Sequence, residues 1–136
     1  MARKAKALVL DTWAVIAYLE DEPSAPQIAD LIASAHEEKI PVYMTVVNAG
    51  EVWYTIAREI SEQDANSSIK ELRDLRIQFQ DADWTLTREA ARFKAQHKMS
   101  YADCYAAALA KVQKGELVTG DNEFRSLEDQ IKIQWV

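Results

Sequence analysis

At 136 residues, 49% of them hydrophobic, and with a formal net charge of −6, the chain has material for one packed domain over residues 1–136 and lacks the basic excess usual for nucleic-acid binding. Its single cysteine, Cys104, excludes an intrachain disulfide framework and a thiolate zinc set, and reads as a small buried helix residue. The apolar run after the basic start MARKAK lasts only about four residues, short for a secretory signal, and no stretch approaches the roughly 20 apolar residues of a membrane span, so a cytoplasmic protein without membrane contact is expected.

Ala7 to Leu10 is a short continuous apolar run, the pattern of a strand buried on both faces, and Thr12 to Leu19 then reads as helix. Pro23 and Pro26 punctuate the chain before Ile28, Leu31, Ile32 and Ala35 recur at helical spacing, in a helix that ends near Lys39. Pro41 to Met44 is a second strand. Thr45 is an N-cap for a helix whose stripe includes Val52, Trp53 and Ile56 and runs to Ile60. Ser61 restarts the helix as far as about Arg76, Ile77 and Phe79 alternate as a short strand, and Thr87 opens another helix. Ser100 caps a helix from Tyr101 to Lys114, with Asp103 in a capping-box position and Gly115 as its stop. Leu117 to Thr119 is a further buried strand, and Ile131, Ile133 and Trp135 alternate with Lys132 and Gln134 as an edge strand. Strands separated by helices predict an α/β fold of three layers, α/β/α, with a central parallel sheet of about four to five strands flanked by helices.

In such sheets ligands bind beyond the carboxyl ends of the strands. Asp11 ends the first strand, Asp121 follows Leu117 to Thr119, and Asp103 starts its helix at the same rim. Glu51 lies about two turns into the helix that begins after the second strand, with Asn48 on the same face one turn nearer the rim. Two such charges about 4 Å apart cost roughly 4 kcal/mol at an effective dielectric near 20, unless a cation joins them. Ligands that are all oxygen favour Mg²⁺ or Mn²⁺ over zinc, and the chemistry that follows is phosphodiester hydrolysis. Each acid also has an ordinary reading. Asp103 suits a helix N-terminus and Asp121 suits the turn TGDN, whereas Asp11, closing an apolar strand, is costly to bury without a partner. His36 and His97 lie in charged helical context and read as surface residues. Three basic bunches, Arg3, Lys4 and Lys6; Lys70, Arg73 and Arg76; and Arg88, Arg92, Lys94 and Lys98, read as solvated faces.

Four stretches, LVLDTWAVIAYL, TVVNAGEVWY, SYADCYAAALA and LVTGDNEF, carry these acids at differences of 40, 52 and 18 positions. In that order they resemble the PIN-domain ribonucleases, most of all the small single-domain toxins of VapBC-type toxin–antitoxin pairs. The resemblance spans essentially the whole chain. It implies a PIN-like fold, a Mg²⁺- or Mn²⁺-dependent endoribonuclease acting on RNA, inhibition by a cognate antitoxin, and commonly a homodimer. It also makes Asp11 and Asp103 the acids nearest the metal, with Glu51 and Asp121 holding the ion directly or through water. Thr12 and Thr119 match hydroxyl residues that orient ligands or touch phosphate, and Asn48 matches a companion of the glutamate. Capping and turn chemistry is the ordinary reading of the threonines, and an exposed helix position that of Asn48.

Trp13 departs from the family pattern, in which a small residue commonly follows the Asp-Thr pair. A ring there narrows the groove, stacks a base, or packs into core or partner surface, and Trp53 and Tyr54 pose a similar choice between packing and an antitoxin-facing patch. Ala106, Ala107, Ala108 and Ala110 match a small-residue helix that approaches the sheet closely. Two readings from other classes stand beside the nuclease. One is a catalytically silent PIN-like binding or assembly module. The other is a phosphatase or receiver domain using Asp11 as nucleophile or phosphoacceptor, for which the chain lacks the second aspartate two positions on.

Overall fold

The structure is a computed structural model that describes residues 5–136; Arg3 and Lys4 of the first basic bunch lie outside them. In chain order the elements are β1 (Leu8–Leu10), α1 (Thr12–Leu19), α2 (Ala25–Glu37), β2 (Val42–Thr45), α3 (Val46–Glu59), α4 (Glu62–Asp74), β3 (Gln78–Gln80), α5 (Trp84–Gln96), α6 (Tyr101–Gln113), β4 (Glu116–Thr119) and β5 (Lys132–Trp135), with a 3₁₀ turn at Asn122–Leu127. The five strands form one parallel sheet in the order β3-β2-β1-β4-β5. Leu8 pairs with Val42 on one side and Glu116 on the other, so β1 is the strand from which the order runs outward both ways. The crevice beyond the carboxyl ends of β1 and β4 is therefore the topological switch point, where sheets of this kind bind ligands.

The central strand β1, only three residues long, is held by burial on both faces. Leu8 and Leu10 join the core under α1 to α4, with Ile28, Val52, Ile56 and Leu72, while Val9 and Leu117 face the opposite core with Leu86, Phe93, Leu109 and Phe124. Each fully buried Leu, Val or Phe contributes about 1.5–3 kcal/mol. Helix α6 is buried without a break from Cys104 to Ala110, and its alanines let it pack against β1, β2 and β4 at once. The three-layer α/β/α arrangement anticipated from the alternation of strands and helices is the one observed.

Most boundaries differ from expectation by one or two residues, and at three helix ends the local reason is plain. Helix α5 opens at Trp84 because Asp83 caps it, its side chain accepting from the Leu86 amide at 2.9 Å; Thr87 lies within the first turn, its hydroxyl 2.7 Å from the Tyr105 hydroxyl. Helix α2 includes Pro26 in its first turn, where the missing N–H has no helical partner to lose. Helix α6 leaves through Lys114 in the left-handed region, at φ 52°, while Gly115 is required for another reason: a Cβ there would lie 2.6 Å from the Ala7 carbonyl oxygen. Asp21, Lys39 and Arg76 turn the chain out of α1, α2 and α4 in the same left-handed way, so a chain with only 3 glycines ends its helices on ordinary residues at a cost of about 1 kcal/mol or more each. His36 is not a free surface residue: its Nε2 donates to the Leu75 carbonyl at 2.8 Å and ties α2 to the end of α4. Among the described residues no helix is long and apolar enough to cross a membrane.

Candidate functional site

Asp11 lies at the base of the switch-point crevice. It caps α1, its Oδ1 accepting from the Ala14 amide at 2.8 Å, and its Oδ2 accepts from the Thr119 hydroxyl at the end of β4. Both carboxylate oxygens are thus engaged, and the residue is 1% exposed. Burial pushes its pKa up to about 7; the two hydrogen bonds pull the other way, and the charges of Asp103 and Asp121 add to the rise. Thr119 is itself buried, and its hydroxyl accepts from the Asp121 amide at 3.0 Å. One side chain therefore sets both the first and the last acid.

Asn48 is the second organiser. Its expected alternative, an exposed helix position, is overturned by its burial between three elements. Its Nδ2 donates to Thr12 Oγ1 at 3.1 Å and to the Ala102 carbonyl at 3.1 Å, and its Oδ1 accepts from the Thr45 hydroxyl. The start of α3 is thereby pinned to the starts of α1 and α6, which carry Asp11 and Asp103. Asn48→Ala strands buried polar partners and is expected to destabilise the protein by about 1–3 kcal/mol, a loss read from the denaturation midpoint. An unchanged midpoint would mean that the clamp is energetically idle.

Above Asp11, Asp103 and Asp121 meet a residue that sequence reasoning passed over, Glu123. Carboxylate oxygens of these three lie within 4.8 Å of one another. Asp103 stands in the first turn of α6, whose N-cap Ser100 accepts from the Asp103 amide at 3.1 Å. Asp121 caps the 3₁₀ turn, accepting from the Glu123 amide at 2.9 Å. Asp103 is pushed up to about pKa 6, first by burial against the pull of Ser100, then by the charges of Asp121, Glu51 and Glu123. Glu51 faces the same cleft from α3, its Oε2 accepting from the Tyr54 hydroxyl at 3.4 Å. The fold thus brings Asp103 and Asp121 into direct company, with Asp11 below and Glu51 beside them, and adds Glu123. Turn acids and clustered acids are here the same residues.

The cleft has a volume of about 820 Å³. Thr12, Glu51, Asp103, Asp121 and Glu123 line it with Trp13, Ile16, Ala17 and Pro23, and Glu22, Ser24, Thr55 and Ser100 complete the wall; among the described residues no Lys or Arg belongs to it. Of the basic bunches, Lys70 pairs with Asp74 and Arg73 lies over the Phe79 ring, away from the cleft. Trp53 packs against the core and donates to Asn66, whereas Tyr54 is exposed, with the Arg58 guanidinium over its ring.

No curated protein matches the chain. Among solved structures it resembles VapBC2 from Rickettsia felis bound to a promoter DNA fragment, with 13% identity, 96% of this chain and 98% of that one covered, and a TM-score of 0.74. It also resembles VapBC-1 from nontypeable Haemophilus influenzae, with 17% identity, coverage of 95% and 97%, and a TM-score of 0.71. A third is VapC20 from Mycobacterium tuberculosis, a toxin that cleaves the Sarcin-Ricin loop, with 17% identity, coverage of 88% and 94%, and a TM-score of 0.69. At these identities the likeness is one of fold. The family profile described as PIN domain matches residues 8–130, nearly the whole chain, and the protein is accordingly a member of the PIN domain family.

Proposed function

We propose that the protein is a Mg²⁺- or Mn²⁺-dependent endoribonuclease, hydrolysing RNA phosphodiester bonds, and that it acts in the cytoplasm as the toxin of a toxin–antitoxin pair. The observation that carries this reading is the meeting of Asp103, Asp121 and Glu123 within 4.8 Å at the end of an open cleft, at the switch point of the sheet. The donors are all oxygen, and Asp103 is raised partly by neighbouring charges, which is the setting a hard divalent cation relieves. Asp103, Asp121 and Glu123 would hold the ion, with Asp11 and Glu51 completing its acidic surroundings. When bound, the ion supplies Lewis acidity at the phosphodiester and activation of a water.

The chain's own residues do the positioning. Thr119 holds Asp11 and the Asp121 backbone together, Asn48 fixes Thr12 against α6, and Ser100 fixes the start of α6 beneath Asp103. Thr12 lines the cleft with the acids, where its hydroxyl could meet a phosphate oxygen. A cognate antitoxin and a homodimeric state are the partners this reading carries; the VapBC toxin–antitoxin proteins among the structural relatives support the first of them.

Purified protein free of any antitoxin is expected to cleave single-stranded RNA with Mg²⁺ or Mn²⁺ and to stop on chelation. Asp103→Asn is expected to lower the rate by roughly 100- to 1,000-fold, the range for losing one preorganised electrostatic group. Cleavage that survives chelation and Asp103→Asn alike would defeat the metal mechanism. No cleavage, together with no thermal shift from Mn²⁺, would instead make the protein a silent binding module of the same fold.

A further inference from the structure

We propose that Trp13 is a stacking platform for one unpaired nucleobase next to the scissile phosphate, a role that rests on the ribonuclease reading above. The indole stands on the wall of the cleft, 38% exposed, while the next residues along α1, Ala14 and Val15, are 0% and 1% exposed. Its six-membered ring is backed by Gly120: a Cβ on that residue would lie 2.3–2.6 Å from Trp13 Cη2, Cζ3 and Cζ2. Only a glycine at this point lets the ring lie against the chain, which makes the platform rigid. Gly120 joins Thr119 to Asp121, and Trp13 is two residues from Asp11, so the ring is gripped by the two segments that carry the first and last acids.

The cleft's chemistry points to a base as the occupant. Among the described residues no Lys or Arg lines the wall, so phosphate meets no cationic side chain of theirs there, and its place is at the acidic end with a divalent ion. Beyond the acidic cluster the wall runs from Trp13 past Ile16, Ala17 and Pro23, with Glu22 and Ser24 beside them, and its aromatic and aliphatic surface suits the face of a base. Among the described residues the indole N–H groups of Trp53 and Trp135 donate to Asn66 and Glu128, whereas those of Trp13 and of Trp84, which stands outside the cleft, have no protein acceptor. The Trp13 N–H is left available to a ligand. Because Trp13 and Asp11 share one turn of chain, a base on the ring belongs to a nucleotide whose phosphate reaches the acids.

Two measurements test this. Base stacking is worth about 1–3 kcal/mol, so Trp13→Ala is expected to lower kcat/KM on single-stranded RNA by roughly 10- to 100-fold, and Trp13→Phe to keep it within about fivefold. Separately, in Asp11→Asn protein with Mg²⁺, an oligoadenylate of about eight nucleotides is expected to quench tryptophan emission saturably, and adding Trp13→Phe is expected to abolish that quenching while RNA binding persists. A purely structural role for the ring would leave the quenching unaffected by Trp13→Phe, and would overturn the proposal. If wild-type protein cleaves RNA and Trp13→Ala cleaves it equally well, the platform fails and the nuclease stands. If wild-type protein neither cleaves nor binds RNA, the nuclease reading fails and the platform with it, leaving the exposed ring to a partner protein.

Discussion

Asp11→Asn is expected to do two opposite things: reduce RNA cleavage by roughly 100-fold or more, and raise the melting temperature of the metal-free protein at about pH 8. Asp11 is 1% exposed, and burial has moved its pKa from 3.8 to about 7. At about pH 8 the carboxyl is ionised in both folded and unfolded protein, and the folded form carries the cost of a desolvated charge. Asparagine removes that charge with the same shape. Its Oδ1 can still accept from the Ala14 amide, and its Nδ2 can donate to the Thr119 hydroxyl, which now accepts where it had donated. A shift of this size corresponds to a few kcal/mol at most, or several degrees in melting temperature for a domain of this length. Thermal melts in chelator and initial rates on RNA, made on the same preparation, decide it. A variant that is both inactive and markedly less stable would mean that Asp11 is needed as a helix cap rather than as a charge. Full activity would remove the carboxylate from the mechanism.

This trade between stability and activity is why Asp11 was the most legible acid in the sequence. An aspartate directly after Leu8, Val9 and Leu10 is costly at the end of a doubly buried strand, and a helix cap alone could be supplied there by an uncharged Asn, Ser or Thr. The strands, the helices and the rim shared by the acids followed from apolar runs and their spacing, because both faces of β1 and all of α6 from Cys104 to Ala110 are buried and keep the pattern continuous. Other features depend on contacts that sequence spacing does not encode. Asn48, placed by its spacing on the same face as Glu51, could equally have been an exposed helix residue; its burial comes from Thr12 and Ala102, 36 and 54 residues away. His36 is tied to Leu75 across 39 residues. Glu123 was lost among 22 acidic residues because a 3₁₀ turn, lacking helix or strand periodicity, gives no sign of which way its side chains face. Trp13 was visible as an anomaly, but Gly120, which gives it a seat, became visible only once the ring and the backbone were seen to meet.

The second large effect is a metal-induced stabilisation that grows with pH. Asp11 and Asp103 are raised from 3.8 to about 7 and about 6, so in metal-free protein both favour the folded state most when protonated. Their contribution is fully present below about pH 4 and is lost as pH rises through 6 and 7. Asp103 is partly open to solvent, and its share is reduced by screening. Metal-free stability should therefore fall between about pH 4 and pH 7, opposite to the trend of a protein held by ordinary ion pairs. A divalent ion requires the carboxylates ionised, so protons compete with it at low pH and cease to compete above 7. At 100 times its dissociation constant the ion adds about 2.7 kcal/mol, on a background that is losing stability as its binding site becomes charged. Melting curves with chelator and with Mn²⁺ should accordingly coincide near pH 5 and separate steadily toward pH 8, and Asp103→Asn should narrow the gap. A gap that is constant across this range would mean that the ion binds elsewhere than at these acids, because only a site made of raised carboxyls ties metal affinity to their protons.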